Sequence, residues 1–168
     1  MMDRPNTQGG FANSSGSVLE RMIREVMASK GFEVVPYSQY TKRPERYGTE
    51  LLLQNVPYTT IYGHDSKTEF LLVSADYDLR VRIECKWQQS AGSVDEKYPY
   101  VYLNAVEAMP EKDIFIMLGG AGAKKGAVEW LKQAAQGRRY RAEAAEKNIR
   151  VMSIDEFVAW ANRTFRGW

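Results

Sequence analysis

The chain has 168 residues, 44% of them hydrophobic and 26% charged, enough to bury one sizeable core and within the ~100–200 residues of an ordinary domain. A single cysteine, Cys85, and a single histidine, His64, exclude an internal disulfide, a multi-cysteine zinc cage and paired-histidine metal motifs, so any metal site must use oxygen ligands. The net charge of +2 conceals an asymmetry: residues 120–168 carry ten Lys/Arg against five Asp/Glu, which allows a polyanion partner without demanding one.

Residues 1–16 are rich in Gly, Ser, Asn and Thr and bury too little to offset ordering entropy, so a flexible tail followed by one domain over 17–168 is expected. That opening also lacks the basic start and apolar stretch of a signal peptide, and no apolar run approaches the ~18 residues of a membrane span. A cytoplasmic chain with no membrane partner is the expectation. Val18, Leu19, Met22, Ile23, Val26 and Met27 recur at helical spacing, predicting a helix over 18–30 that ends at Gly31. Phe32 to Tyr37 reads as a short strand ended by Pro36. The stretch 41–57, with three leucines among charges and prolines, gives no clear signal. Strands are expected at 59–62, 68–73 and 79–87, joined by turns at 63–66 and 75–78 into an antiparallel meander. A helix over 93–108 has a candidate cap in Ser93, but Pro99 lies so far in that a start at or after Pro99 is the competing expectation; 113–118 is a continuous apolar run suited to a central strand. Helices at 126–135 and 139–147, a strand at 149–152 and a helix at 154–165 capped by Ser153 complete the order. Such mixing predicts a three-layer α/β domain with a mixed sheet.

The chemistry concentrates on two of these strands. With the turn centred between Asp76 and Tyr77, antiparallel partners have residue numbers summing to about 153, which sets Glu69 opposite Glu84. Alternation sends Phe70, Leu72, Val81, Ile83 and Cys85 to one apolar face and Glu69, Arg80, Arg82, Glu84 and Lys86 to the other. Directly opposed carboxylates repel, so a cation is expected between them. Mg²⁺ suits the arrangement because it binds through one or two carboxylates and completes its shell with water and phosphate. Lys86 would then neutralise charge developing on phosphate or polarise the attacking water. The plainer account is a solvated ionic face, since Glu-x-Lys is common in strands.

The segment I-E-C-K-W-Q at 83–88, preceded by T-E-F-L-L and followed by Q-S-A-G-S-V-D-E-K-Y-P-Y, resembles the PD-(D/E)XK nuclease superfamily, in particular its compact prophage and bacterial members. The likeness spans most of 17–160: an early helix bearing an acid and ending in Gly-Phe, an acid on the second meander strand, E-x-K on the third, then a helix. It implies a three-layer αβα restriction-endonuclease-like core around a mixed, mostly antiparallel-meander sheet. It further implies a Mg²⁺-dependent nuclease, with Mn²⁺ as substitute, hydrolysing phosphodiester bonds in nucleic acid, DNA foremost, through two carboxylates, a lysine and an activated water. The alternative is a catalytically inactive nucleic-acid-binding module of the same fold. Residue by residue, Glu84 resembles the metal-binding acid, Lys86 the catalytic lysine, and the Cys85 carbonyl a further ligand. Glu69 stands where the family usually has aspartate, a departure by one methylene. Glu20 resembles the helix acid that some members use as an extra ligand, against its reading as a surface glutamate, and Gln88 the glutamine that follows the lysine in several subfamilies.

Other signals carry less. Ser93 and Lys97 would meet a phosphate at a helix start, though Asp95 and Glu96 oppose this. The loop Gly119–Gly126, with Lys124 and Lys125, has neither the P-loop nor the dinucleotide spacing and reads as a strand-to-helix connection that could touch a DNA backbone. Arg138, Arg139 and Arg141, and Lys42, Arg43 and Arg46, are candidates to track phosphates, or else solvated charge. Cutting both strands of duplex DNA would favour a homodimer.

Overall fold

The computed structural model describes residues 8–90, 92, 94–141 and 146–166. Its elements are helix α1 (Gln8–Ser29), strand β1 (Glu33–Pro36), the single-turn helix α2 (Tyr37–Tyr40), strands β2 (Glu50–Thr59), β3 (Asp65–Ser74) and β4 (Leu79–Trp87), helix α3 (Val94–Glu107), strand β5 (Asp113–Gly119), helix α4 (Lys125–Gln136), strand β6 (Asn148–Met152) and helix α5 (Ile154–Thr164). The six strands form one sheet in chain order. The antiparallel meander β2–β3–β4 lies at its centre, β1 adds parallel to β2, and β5 and β6 add parallel beyond β4.

Helices cover both faces. On one, Leu19, Ile23 and Met27 of α1 and Phe157, Trp160 and Ala161 of α5 close over Leu52, Phe70, Leu72, Val81, Ile83, Cys85, Phe115 and Met117. Each such large side chain contributes about 1.5–3 kcal/mol on burial. On the other, Tyr98, Tyr102 and Ala105 of α3 and Leu131 and Ala134 of α4 pack on Ile114 and Ile116, while α2 shields Leu51, Leu53 and Leu71. The three layers and the mixed sheet are those expected from the sequence.

Local chemistry fixes the element ends. Gly31, at φ 89°, closes α1 with two bonds: its own N–H donates to the Ala28 carbonyl and that of Phe32 to the Met27 carbonyl, a pairing that a left-handed residue makes possible. Ser153 caps α5 by accepting from the Glu156 N–H at 3.2 Å, as its position predicted. Glu50 holds the β3–β4 turn, accepting from the N–H groups of Ala75 and Asp76 and from the Ser74 hydroxyl. Burial pushes its carboxyl up, but these hydrogen bonds outweigh that and leave it below its ordinary value.

Four expectations need correction. Helix α1 starts at Gln8, so residues 8–16 extend the helix rather than forming a tail; once 18–29 are docked as a nucleus, each added residue gains a hydrogen bond without a new nucleation cost. Residues 1–7 lie outside the described residues. The uncertain stretch 41–57 contains most of β2, and the strand expected at 59–62 is only its last residue and the hairpin tip. Pro57 is tolerated because β1 pairs only as far as Gln54, leaving an edge beside it. Helix α3 begins at Val94 with Pro99 inside it; Pro99 lies just past the first turn and forfeits the bond an N–H there would make to the Asp95 carbonyl. Of the helix expected at 139–147, residues 139–141 and 146–147 are turn or irregular, and 142–145 lie outside the described residues.

Candidate active site

The β3–β4 register is the one read from the turn, with Phe70 opposite Ile83, Leu72 opposite Val81 and Ser74 opposite Leu79. It stops there. In β2–β3 the same register holds on both sides of Asn55 and Glu69, yet those two do not pair, and Asn55 has φ 56°. Side chains change sides at this point. Strict alternation from Leu52 and Phe70 would send Val56 and Thr68 to the α1 face, but Val56 packs with Leu51, Leu53 and Leu71 on the opposite face, and Thr68 accepts a hydrogen bond from Arg82. An asparagine is among the few non-glycine residues that adopt such a φ readily.

Glu69 sits at this slip. Its Oε2 accepts the backbone N–H of Cys85 at 2.7 Å, so a carboxylate takes the place of a ladder partner where β3 and β4 part. The Cys85 carbonyl leaves β4 on the same edge as its N–H, toward that gap. Glu84, the residue before Cys85 on β4, is 6% exposed, and its Oε1 accepts from the Lys86 ammonium. Burial first, and then the charge of Glu84, push Glu69 up to about 7. Burial likewise raises Glu84, against the opposing pull of Lys86 and Arg82. Burial would lower Lys86, but Glu84, through charge and hydrogen bond, and then Glu69 reverse that and hold its ammonium above its ordinary value. Two mutually repelling acids and one lysine that stays protonated therefore share one half-buried place.

Glu84 Oε2 is buried with no hydrogen-bond partner. An orphaned carboxylate oxygen beside a second carboxylate of raised proton affinity is a donor set for a hard divalent cation, so the residues present fit such an ion. Glu20 adds less: it pairs with Arg24 at 3.9 Å one helical turn on, and its charge reaches Cys85, which faces the α1 layer. Among the described residues no three His, Cys, Asp or Glu side chains gather at metal-binding distance. Burial, followed by the charges of Glu69, Glu84 and Glu20, pushes the Cys85 thiol well up, which makes it an inert core thiol.

The geometry is thus an E-x-K strand beside an acid on its antiparallel neighbour, followed by a helix, in a three-layer domain. The family description "PD-(D/E)XK nuclease superfamily domain" matches residues 11–165. The chain belongs to this superfamily. No curated protein matches it. Its six-stranded mixed sheet between helices is the restriction-endonuclease-like arrangement, and nuclease-type function follows from membership at that coarse level. The superfamily generally uses divalent metals.

In this superfamily member, Gln88 leaves β4 almost fully buried. Its N–H donates to the Gly119 carbonyl, its carbonyl accepts from Gly122, and its Nε2 donates to the Gly122 carbonyl at 3.2 Å, while Oε1 is buried without a partner. The glycine loop is explained by this contact: a Cβ at Gly120, where φ is 83°, would collide with the Gln88 carbonyl. Lys124 and Lys125 begin α4 at the same sheet end, Lys124 N–H donating weakly to Asp95 at 3.4 Å and Lys125 pairing with Glu129 at 3.7 Å. Lys97 is exposed on α3; Ser93 lies outside the described residues. The three arginines are elsewhere. Arg138, Arg139 and Arg141 follow α4, at the end of the sheet where β5 and β6 begin, away from the carboxylates. Arg141 donates to the carbonyls of Lys147 and Ala135, and Arg139 covers the Trp130 ring, so Arg141 acts as a structural clamp rather than an exposed phosphate contact.

Several residues at the site escaped the sequence. Arg82 and Glu111 form an ion pair with both side chains 3% exposed, and Arg82 also donates to the Val56 carbonyl at 3.1 Å and Thr68 Oγ1 at 3.0 Å. Tyr58 stands close enough for Glu84 to help raise its hydroxyl, after burial, above its ordinary value. A run of alternating residues gave no sign of either, because Glu111 lies 29 residues away and Tyr58 reaches this face only through the slip at Asn55.

Proposed function

We propose that this chain is a divalent-metal-dependent endonuclease that hydrolyses phosphodiester bonds in DNA, with Glu69 and Glu84 as ligands, the Cys85 carbonyl completing the set, and Lys86 as the catalytic cation. The observation that carries the reading is the buried, unpartnered Oε2 of Glu84 next to Glu69 and Lys86. When bound there, Mg²⁺, or Mn²⁺ in its place, would supply Lewis-acid polarisation of the phosphate and a nucleophile at neutral pH.

The chain's own groups do the rest. Lys86, held by Glu84 and kept protonated, donates to a non-bridging phosphate oxygen as charge builds there; one preorganised donor of this kind is worth about 10²–10³ in rate. Glu69 keeps its orientation through the Cys85 N–H. Gln88 ties the exit of β4 to the glycine loop and so fixes the strand that carries Glu84 and Lys86. Lys97, Lys124 and Lys125 supply positive charge near the same end for the flanking phosphates. Two copies acting together would cut both strands of a duplex.

The test is cleavage of plasmid, single-stranded and branched DNA with Mg²⁺ or Mn²⁺, by the wild-type chain and by Glu84→Ala and Lys86→Ala, with circular dichroism to verify folding. Cutting by the wild type, lost in both variants, supports the reading. A wild type inert on every substrate that still binds DNA would overturn it in favour of a non-catalytic binding module.

A further inference from the structure

The β2–β3 hairpin tip carries an exposed aromatic ring that neither the core nor the cleavage chemistry uses. Tyr62 is 68% exposed, the most open of the large apolar side chains among the described residues. One face of its ring stacks on Tyr100 of α3, with centroids 5.2 Å apart and planes 20° from parallel, and His64 lies tilted beside it at 6.2 Å. The tip is not loose. The Thr60 N–H donates to the His64 carbonyl at 2.9 Å, the Gly63 N–H to the Thr60 carbonyl at 2.8 Å, and the His64 N–H to Thr60 Oγ1 at 3.2 Å. Buried Asn104 of α3 accepts the Ile61 N–H at 2.9 Å, which fastens the tip to the helix. Gly63, at φ 76°, permits the turn. A ring of this size set out in water on a rigid mount, with a parallel partner behind it, is organised to receive another flat apolar surface.

The hairpin arms run from the platform back to Asn55 and Glu69. On these arms a cleft is lined by Pro57, Tyr58, Thr59, Asp65, Ser66 and Lys67. Tyr58, on the same strand, lies within electrostatic reach of both Tyr100 and the Glu84–Lys86 pair. Lys67 in the hairpin and Lys97, one helical turn before Tyr100, are exposed on the flanks, with Asp65 and Glu96 as the opposing charges. Aromatic surface for bases beside lysines for phosphates is the combination that holds single strands, because every base has a stackable face once it is unpaired. In a closed duplex those faces are already occupied.

We propose that Tyr62, backed by Tyr100, is a stacking platform for an unpaired nucleobase, so that the chain engages a single-stranded segment leading to the Glu69–Glu84–Lys86 site. This rests on the nuclease reading for the polymer, and its test is independent of cleavage. Fluorescence anisotropy in EDTA would follow a short labelled oligothymidylate, the matching oligouridylate and a duplex closed by loops at both ends, against wild type, Tyr62→Ala, Tyr62→Phe and Tyr62→Trp. Tyr62→Ala is expected to weaken single-strand binding about five- to a hundred-fold, with Phe and Trp restoring it and the closed duplex unaffected. The two oligonucleotides separate DNA from RNA as the source of the base. The proposal is overturned if the wild type does not bind single strands, if Tyr62→Ala binds them as the wild type does, if the loss is equal on the closed duplex, or if Tyr62→Phe fails to restore it. Failure of the nuclease reading looks different: unchanged cutting by Glu84→Ala and Lys86→Ala leaves the Tyr62 binding result standing.

Discussion

Replacing Glu69 with glutamine should make the metal-free protein more stable, and only at neutral to alkaline pH. The carboxyl titrates at about 7 in the folded chain against an ordinary 4.5, because burial and then Glu84 disfavour its charge. Between those values the folded chain keeps a proton that the unfolded chain has released, so stability falls as pH rises through that window and stays low above it. At about 1.4 kcal/mol for each tenfold change in proton affinity, the loss is about 3 kcal/mol by mildly alkaline pH. Glutamine cannot ionise, and its amide oxygen can still accept the Cys85 N–H, so Glu69→Gln recovers that amount. For a chain of this size the gain corresponds to a Tm higher by about 6–12 °C. Thermal melts in EDTA at about pH 5 and about pH 8 measure it, since the first lies near the ordinary carboxylate range and the second lies above the window. A variant no more stable than wild type at the higher pH, or one whose advantage is the same at both, would refute the reasoning that these acids are held together against their own repulsion.

The remaining predictions concern the ion, the buried pair and the glycine loop. Mg²⁺ or Mn²⁺ should raise the wild-type Tm, by about 2.7 kcal/mol of stability at a hundred times its dissociation constant, and less at acidic pH where protons compete for the carboxylates; scanning calorimetry of Glu84→Gln should show no such rise. Arg82→Met leaves the buried Glu111 with only the exposed Arg80 at 3.9 Å, and urea denaturation should report a loss of about 3–5 kcal/mol, most of it regained in the Arg82→Met/Glu111→Leu double variant. Gly120→Ala forces a side chain into the left-handed region and into the Gln88 carbonyl. It should cost at least about 1 kcal/mol by the same denaturation and lower cleavage in parallel, whereas Gly126→Ala, inside α4 where a Cβ meets open space, should leave cleavage unchanged and stabilise by up to about 1 kcal/mol.

What the sequence made legible was local. The turn at 75–78 set the β3–β4 register, and alternation then put Phe70, Leu72, Val81, Ile83 and Cys85 in the core and Glu84 and Lys86 together on the other face. Strand β2 was hidden because Leu51, Leu52 and Leu53 are buried on both faces and give no alternation, while Pro57 suggests a loop. Arg82 looked like part of a solvated face because its partner arrives from the α3–β5 connection, a contact no short-range pattern carries. Glu20 was correctly placed on a helix. Its charge reaches Cys85 together with those of Glu69 and Glu84, which a helical spacing could not reveal, and Arg24 one turn away engages it.

The reversal of sides at Asn55 and Glu69 divides the long hairpin into two stretches under separate constraints. The stretch nearer β1 must suit the core under α1, whereas the stretch beyond the reversal buries Val56 and Thr68 on the other face and then carries the Thr60–His64 tip. An even-numbered insertion in both outer arms would lengthen the reach of the tip and preserve every orientation, while an odd one would turn Tyr58 away from Glu84. Because the tip is fastened to α3 through Asn104 and Tyr100, any change in the arm's length must carry that anchor with it, while the Glu84–Lys86 pair on β4 stays where it is.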